Sequence, residues 1–389
     1  MTRLARPSEI QAKFDGRSFR LKEDSVALTQ DGDERFMQIT SRFGNENYRV
    51  TRVIGGHHRE DFAGVQVIAP TAGAVAQGPE KILPVSHVLA TGELRYKGYS
   101  VMLPERPGVK AGPVWNKTCI LCHNTASWLS TSLGWLGGPN GARYQGAVFE
   151  STLPLSKQRW PSISNHDEFQ KALQNELAHY SKDSLEGDDR SITKQAVSSL
   201  RKNIDGDHLL EVGIGCESCH LGSKEHVAMP SVLPTFKPSA PYLNVGFEAS
   251  SAEAQTRVCG RCHQVLFTGY PFTWEGGDRK QSAGGSNINS GEARDFLLGG
   301  CASKMSCSEC HVVHAADGGA GKLAKLETIE GNSLCTRCHT QYEERTALEA
   351  HTHHKPQGEG SFCVSCHMPR KTMTLDNTLG RYHRNFFTQ

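Results

Sequence analysis

Residues 299–314 read GGCASKMSCSECHVVH. Three cysteines and two histidines fall within sixteen residues, enough to clamp a metal ion, close a redox disulfide or hold a larger group. The centre of the stretch, CSECH at Cys307, decides between these because it is not alone. The same pattern recurs as CILCH at Cys119, CESCH at Cys216, CGRCH at Cys259, CTRCH at Cys335 and CVSCH at Cys363, so 12 of the 13 cysteines fall into six copies. Zinc ribbons and thioredoxin-like sites also use C-x-x-C, but neither requires a histidine in the next position. With 18 histidines in 389 residues, chance would place one after all six pairs with a probability on the order of 10⁻⁸, whereas covalent haem attachment needs every one.

The spacing has a chemical reason. Two thiols must reach the two vinyl groups on one porphyrin edge, and an imidazole must reach the iron from one face. Residues i, i+3 and i+4 of a helical turn project from the same side, so the two cysteines and the histidine converge on one ring. The expected thioether residues are Cys119, Cys122, Cys216, Cys219, Cys259, Cys262, Cys307, Cys310, Cys335, Cys338, Cys363 and Cys366. The expected proximal iron ligands are His123, His220, His263, His311, His339 and His367. Iron so held is a redox centre tuned by its other axial ligand, its burial and nearby charge.

Composition agrees with six haems as cofactors. Hydrophobic residues make up 37% of the chain and aromatic residues 7%, lean for this length, and roughly 65 residues per haem would make the haems a large part of the interior. The formal net charge is +2, from 43 basic and 41 acidic side chains, so there is no electrostatic bid for nucleic acid. The longest uncharged run, VIAPTAGAVAQGP from Val67, is too short and too broken by Pro and Gly to span a bilayer. The start, MTRLARPSEIQAKFDG, lacks the apolar segment of a secretory signal.

Along the chain four parts are expected. Residues 1–112 are a β-rich, haem-free unit: Phe19 and Leu21, Val26 and Leu28, Met37 and Ile39, Val65 and Val67, and Tyr99, Val101 and Leu103 alternate, with turn signals QDGD from Gln30 and IGG from Ile54. Residues 113–274 carry haems one to three and two packing helices. In one, Phe169, Leu173, Leu177 and Tyr180 share a face behind an Asn165–Glu168 capping box; in the other, Ile192, Ala196, Leu200 and Ile204 line up before Gly206. Residues 275–295 form a polar, Gly-rich loop, and residues 296–389 carry haems four to six, with first cysteines 28 residues apart. The fold class is therefore a multihaem cytochrome: a β-rich N-terminal unit, then a mainly α and irregular region organised around six covalent haems.

Twelve histidines lie outside the motifs, more than six irons need for bis-histidine ligation. His314 follows His311 by three residues and leaves the same side of the turn, so as a ligand it belongs to a neighbouring haem. His226, six residues past its motif, follows the same logic. The cluster HTHH at His351 offers at least one ligand ahead of CVSCHMP. His57 or His58 could dock the β unit onto the haem array or form a solvated turn pair, and His87 completes the candidates. Met368, Met305 and Met229 are rival ligands. Cys301 has no intrachain disulfide partner if the other twelve are alkylated, which leaves an inert thiol, an axial thiolate or an intersubunit link.

The sequence resembles the multihaem c-type cytochromes with doubled Cys-x-x-Cys-His motifs, a group often joined to tetratricopeptide repeats and distantly related to cytochrome c nitrite reductase. The resemblance rests on VWNKTCILCHNT from Val114, GIGCESCHLGSKEH from Gly213, MSCSECHVVH from Met305, HTHHKPQGEGSFCVSCHMPRK from His351, LGRYHRNF from Leu379, and the lead-in YRVTRVIGGHHREDF followed by ILPVSH. It implies His226, His314, one of His353 and His354, and His383 as distal ligands. It also implies export to the bacterial periplasm or cell surface, since c-type haem is attached outside the cytoplasm. Two features depart from the group: no signal peptide is visible, and no helix pairs repeat at about 34 residues.

These features imply electron transfer between redox partner proteins, other cytochromes or a larger electron-transfer complex. The alternative is an oxidoreductase acting on a small nitrogen or sulfur compound at one open haem. The C-x-x-C-K motif that marks the catalytic haem of nitrite reductase is absent, and enough histidines exist to close every iron. GGAGK from Gly318 lacks the first glycine and the Ser/Thr of a phosphate loop, and there is no dinucleotide fingerprint. Six bis-histidine haems would carry the chain from +2 to about −4 oxidised and about −10 reduced. Reduction should then draw protons, so midpoint potentials in redox titrations should fall as pH rises; flat potentials across neutral pH would contradict this.

Overall fold

The computed structural model describes residues 2–4, 6–56, 59–96, 109–139, 149–151, 153–248, 251–263, 292–311, 313–314, 326–368, 370–372 and 382–384. His57 and His58, the run Tyr99 to Leu103, GGAGK and most of the 275–295 segment lie outside these residues, as does the side chain of His383.

Alternation of apolar residues builds the N-terminal part. Strands β1 (Thr2–Leu4), β2 (Ser18–Leu21), β3 (Asp24–Asp31), β4 (Glu34–Ser41), β5 (Gly44–Gly55), β6 (Arg59–Val67), β7 (Ala76–Ile82), β8 (Val85–Val88) and β9 (Leu94–Tyr96) form one antiparallel sheet. Its order is β2-β3-β4-β5-β6-β8-β9, with β1 on β5 and β7 on β6. Phe19 of β2 stacks on Tyr96 of β9 at 6.4 Å, which curls the sheet toward a barrel. Inside lie Val26, Leu28, Met37, Ile39, Tyr48, Val50, Val53, Phe62, Leu83 and Val85. Asp31 pairs with Glu34 across the two-residue loop Gly32–Asp33, with Gly32 at φ +54° as such a hairpin favours.

A β-bulge decides what the outside of the barrel does. The β5–β6 register shifts between Val50 and Arg52, so Val53 faces the barrel while Arg52 and Ile54 face outward. Ile54, Ala63 and Ile82 then join a second core with Trp115, Leu129, Leu133, Phe169, Leu173, Ile192, Ala196 and Leu200. The Arg52 guanidinium lies 4.2 Å over the Trp115 ring and pairs with Glu80 at 3.0 Å. The chain enters this core along β7: Gly112 N–H donates to the Ile82 carbonyl (2.5 Å), and Ile82 N–H donates to that of Pro113 (2.9 Å).

Helices follow, among them α1 (Trp115–Thr118), α2 (Ile120–His123), α3 (Trp128–Leu136), α4 (His166–Leu177) and α5 (Asp189–Asn203). Phe169, Leu173 and Leu177 are buried on α4, and the Asn165 side chain caps it by accepting from Glu168 N–H at 3.2 Å. On α5, Ile192, Ala196 and Leu200 are buried, and Asp188 caps through Ser191 N–H. Beyond these come α6 (Lys224–Ala228), α7 (Ala252–Gly260), α8 (Glu292–Leu298), α9 (Ser333–Thr336), α10 (Arg345–Thr352) and α11 (Cys363–His367). The helix α8 begins inside the segment expected to be loop. Phe149, Phe296 and Leu297 form a small third core there, beside a buried Arg257–Glu150 ion pair. Between 326 and 368 only Leu326, Leu348 and Val364 are buried hydrophobic residues, too few to hold that segment together by aliphatic packing. Among the described residues no helix is long and apolar enough to cross a membrane.

Glu60, fully buried in β6, ties the N-terminus to the barrel. It accepts from Arg3 Nη2 at 2.6 Å and from the backbone N–H groups of Gln11 and Ala12 at 3.0 and 2.8 Å. Glu60→Ala strands those donors and should cost on the order of 3 kcal/mol, read as a lowered thermal midpoint, with Glu60→Gln losing less.

Candidate functional site

Each C-x-x-C-H stretch forms a tight helical turn. The backbone N–H of the histidine donates to the carbonyl of the first cysteine at 3.2 Å for His123, 2.8 Å for His220, 2.9 Å for His263, 2.9 Å for His311 and 3.0 Å for His339. The sixth copy is itself the helix α11. Both cysteines and the histidine of a copy thus share one side, as attachment to a porphyrin edge with an imidazole on the iron demands. All 13 cysteines are free of disulfides.

Side chains clamp the turns together, the asparagines and Thr125 among them buried. Directly after His123, Asn124 accepts from Gly213 N–H (3.0 Å) and donates to the Ile120 carbonyl (2.9 Å). Thr125 Oγ1 takes Gly215 N–H (2.8 Å), donates to the Gly213 carbonyl (2.9 Å) and meets Ser218 Oγ at 2.8 Å. The tail of the first copy therefore holds the lead-in of the second. Asn332, ahead of the fifth copy, does the same for the sixth: its amide donates to the Ser361 carbonyl (2.8 Å) and accepts from Cys363 N–H (2.9 Å). Ser308 donates to Gln255 at 3.0 Å between copies three and four, and Arg337 pairs with Glu309 at 2.9 Å between copies four and five.

The thiols of different copies meet. Cys262 neighbours Cys122, Cys307 neighbours Cys259, and Cys363 neighbours Cys335, each close enough for the two thiols to influence one another. In each pair the neighbour's S–H eases the first deprotonation and hinders the second, so Cys262, Cys307 and Cys363 are lowered while Cys259 and Cys335 are raised. Burial, with Cys335 nearby, pushes Cys310 up to about 11. Cys219 neighbours Cys262. Together with the side-chain bonds above, these neighbours join all six copies into one connected set. Arg261 is half-buried beside the first three copies, its Nε and Nη1 out of solvent and Cys262, Cys219 and Cys122 around it, and burial lowers its pKa.

The extra histidines sort by neighbour. The His314 ring lies 6.1 Å from that of His220, with the planes 22° apart. Burial, then His314 and His226, lower the His220 pKa, which favours the neutral imidazole a metal ligand needs. His226 has Nδ1 2.7 Å from the Val232 carbonyl, a hydrogen bond that fixes the orientation of its ring. The His351 ring lies 6.0 Å from that of His367. His353 ends α10 in the left-handed region (φ +59°), and His354 packs against Gly360. His87 is buried in β8, 3.6 Å from Glu60, beside a carboxylate and away from the motif turns. His383 sits in β13 (Tyr382–Arg384), opposite Lys371 of β12 (Arg370–Thr372), where β10 (Ser162–Ile163) and β11 (Leu243–Asn244) form the other small sheet. His166 and His208 are engaged by Asp189 and Asp205 at helix ends. Met305 packs on the third core. Cys301 is half-buried beside Cys335 and Cys338, and burial raises its thiol pKa, as for an unreactive cysteine.

Several observations bear on what the turns can hold. A bare metal ion needs three or four protein donors, and among the described residues no three His, Cys, Asp or Glu side chains converge that way. A porphyrin brings four donors of its own and needs one imidazole per face. It also brings apolar surface: Val227, Met229, Leu233 and Val313, next to His226 and His314, are more than half exposed, and the segment from 326 to 368 lacks an aliphatic core. The residues present fit haem. No family model, curated protein or solved structure matches the chain.

Sequence reasoning named the HTHH cluster at His351 without choosing among its histidines, and it missed the two asparagines. The asparagine signal, an amide just after or just before a C-x-x-C-H copy, is visible only once its distant partner is known. Asn332→Ala and Asn124→Ala should each cost about 1–3 kcal/mol in thermal or denaturant unfolding. Losses below about 0.5 kcal/mol, typical of neutral surface changes, would show the clamps to be idle.

Proposed function

We propose that this chain is a hexahaem c-type cytochrome that conducts electrons between redox partner proteins, outside the cytoplasm of a bacterial cell. The observation that carries the reading is the continuity of the six turns: Asn124 beside the first copy holds Gly213 ahead of the second, Cys122 of the first neighbours Cys262 of the third, Ser308 of the fourth bonds Gln255 ahead of the third, Glu309 of the fourth pairs with Arg337 of the fifth, and Asn332 ahead of the fifth holds Cys363 of the sixth. Haems attached at those turns would have neighbouring edges from one end of the set to the other. The twelve motif cysteines would carry the thioethers, and the six motif histidines the proximal iron positions. Iron held there would supply one-electron redox chemistry.

The surrounding residues supply position and potential. The Asn124–Thr125 and Asn332 clamps fix one attachment turn against the next, so that distances between sites do not fluctuate. Arg261, half-buried beside the first three sites, places a fixed positive charge that favours their reduced forms. The partners are other redox proteins or a larger electron-transfer complex.

Haem content and spin state test this reading. The mature protein should carry six covalent haems and show low-spin ferric EPR signals that carbon monoxide and cyanide leave unaltered. Fewer haems would overturn the assignment. One high-spin haem binding cyanide stoichiometrically would replace conduction with catalysis at an open site.

A further inference from the structure

Three histidines stand ahead of the sixth motif, His351, His353 and His354, and any of them lies close enough in sequence to serve its iron. We propose that His351 is the distal axial ligand of the iron held by His367. This rests on the haem reading above and goes beyond it by choosing the residue.

The geometry makes the choice. The His351 and His367 rings are 6.0 Å apart between centroids, with planes 6° from parallel. A metal–imidazole bond of about 2.0–2.1 Å, plus about 1.1 Å from nitrogen to ring centre, on each side of one metal spans about 6.3 Å. The two rings are therefore already at the separation that one iron between them requires. His220 and His314 repeat this spacing at 6.1 Å, at a position where the chain argues independently that His314 serves a neighbouring haem.

A second contact holds the ligand in place. The Tyr342 ring lies 4.3 Å from that of His351, tilted by 27°, and Tyr342 N–H donates to the carbonyl of His339, the fifth motif's histidine, at 3.0 Å. The fifth turn thus orients the ligand of the sixth. Among the described residues, His351 is the one of the three whose ring pairs with that of His367. His353 takes the left-handed conformation that ends α10. The His354 ring fills the space over Gly360, where a Cβ would meet it at 2.4 Å, and its carbonyl accepts from Ser361 Oγ at 3.2 Å.

The test uses the full mature chain, with haem count and ferric EPR read together. His351→Ala should keep six haems and convert one from low-spin to high-spin, with added imidazole restoring the low-spin state. The double variant His353→Ala/His354→Ala should leave all six low-spin. Near-parallel ligand planes place the lost signal among the rhombic low-spin resonances. A six-haem His351→Ala protein that stays wholly low-spin, or a high-spin haem in the double variant, overturns the assignment while leaving the haem reading intact. A wild-type protein without six haems overturns both. If His351→Ala sheds the sixth haem, His351→Met decides: a thioether ligand should raise one midpoint potential, and six unchanged potentials would overturn the proposal.

Discussion

The hydrogen bond from each motif histidine's N–H to the carbonyl of its first cysteine is the constraint on which the molecule turns. It closes one helical turn and so puts two sulfurs and an imidazole on one side of the backbone. Alone such a bond contributes only about 1 kcal/mol, and an isolated turn is not stable in water. Each therefore leans on a neighbour. The first is docked on the barrel through Trp115, the third ends α7, and the second and sixth are held by side chains of other copies.

Two different kinds of interior result. Up to about residue 204 the chain is built conventionally, with alternating strands around Val26, Leu28 and Phe62 and helices that bury every third or fourth residue against Trp115. Past it, buried aliphatic side chains thin out, and buried amides, ion pairs and thiol contacts take over. That change falls where the C-x-x-C-H copies crowd together. A large apolar group bound at each turn would supply there the burial that the side chains do not.

Much of this was legible in the sequence, and the parts that were not share a cause. The turn geometry follows from i, i+3, i+4 spacing alone. Strands β3 and β4 follow from the alternation of Val26, Leu28, Met37 and Ile39, and α4 from the face of Phe169, Leu173 and Leu177 behind the Asn165 cap. The bulge in β5 was hidden because one inserted residue leaves no mark in composition, yet it sends Arg52 and Ile54 to a different core. The pairing of the His351 ring with that of His367 was hidden because it depends on how α10 packs against the sixth turn, which spacing alone does not carry. The asparagine clamps were hidden because each joins points far apart in the chain, and a single sequence carries no signal of pairing.

The two asparagine clamps differ in span: 89 residues separate Asn124 from Gly213, but 31 separate Asn332 from Cys363. On a loop-closure estimate the longer span costs about 1 kcal/mol more conformational entropy. The fifth and sixth turns can thus find each other as a local unit. The first and second are joined across α3, α4 and α5, so their contact is favoured once those helices have packed. The molecule accordingly has an early end and a late end, and the late one is the end joined to the barrel.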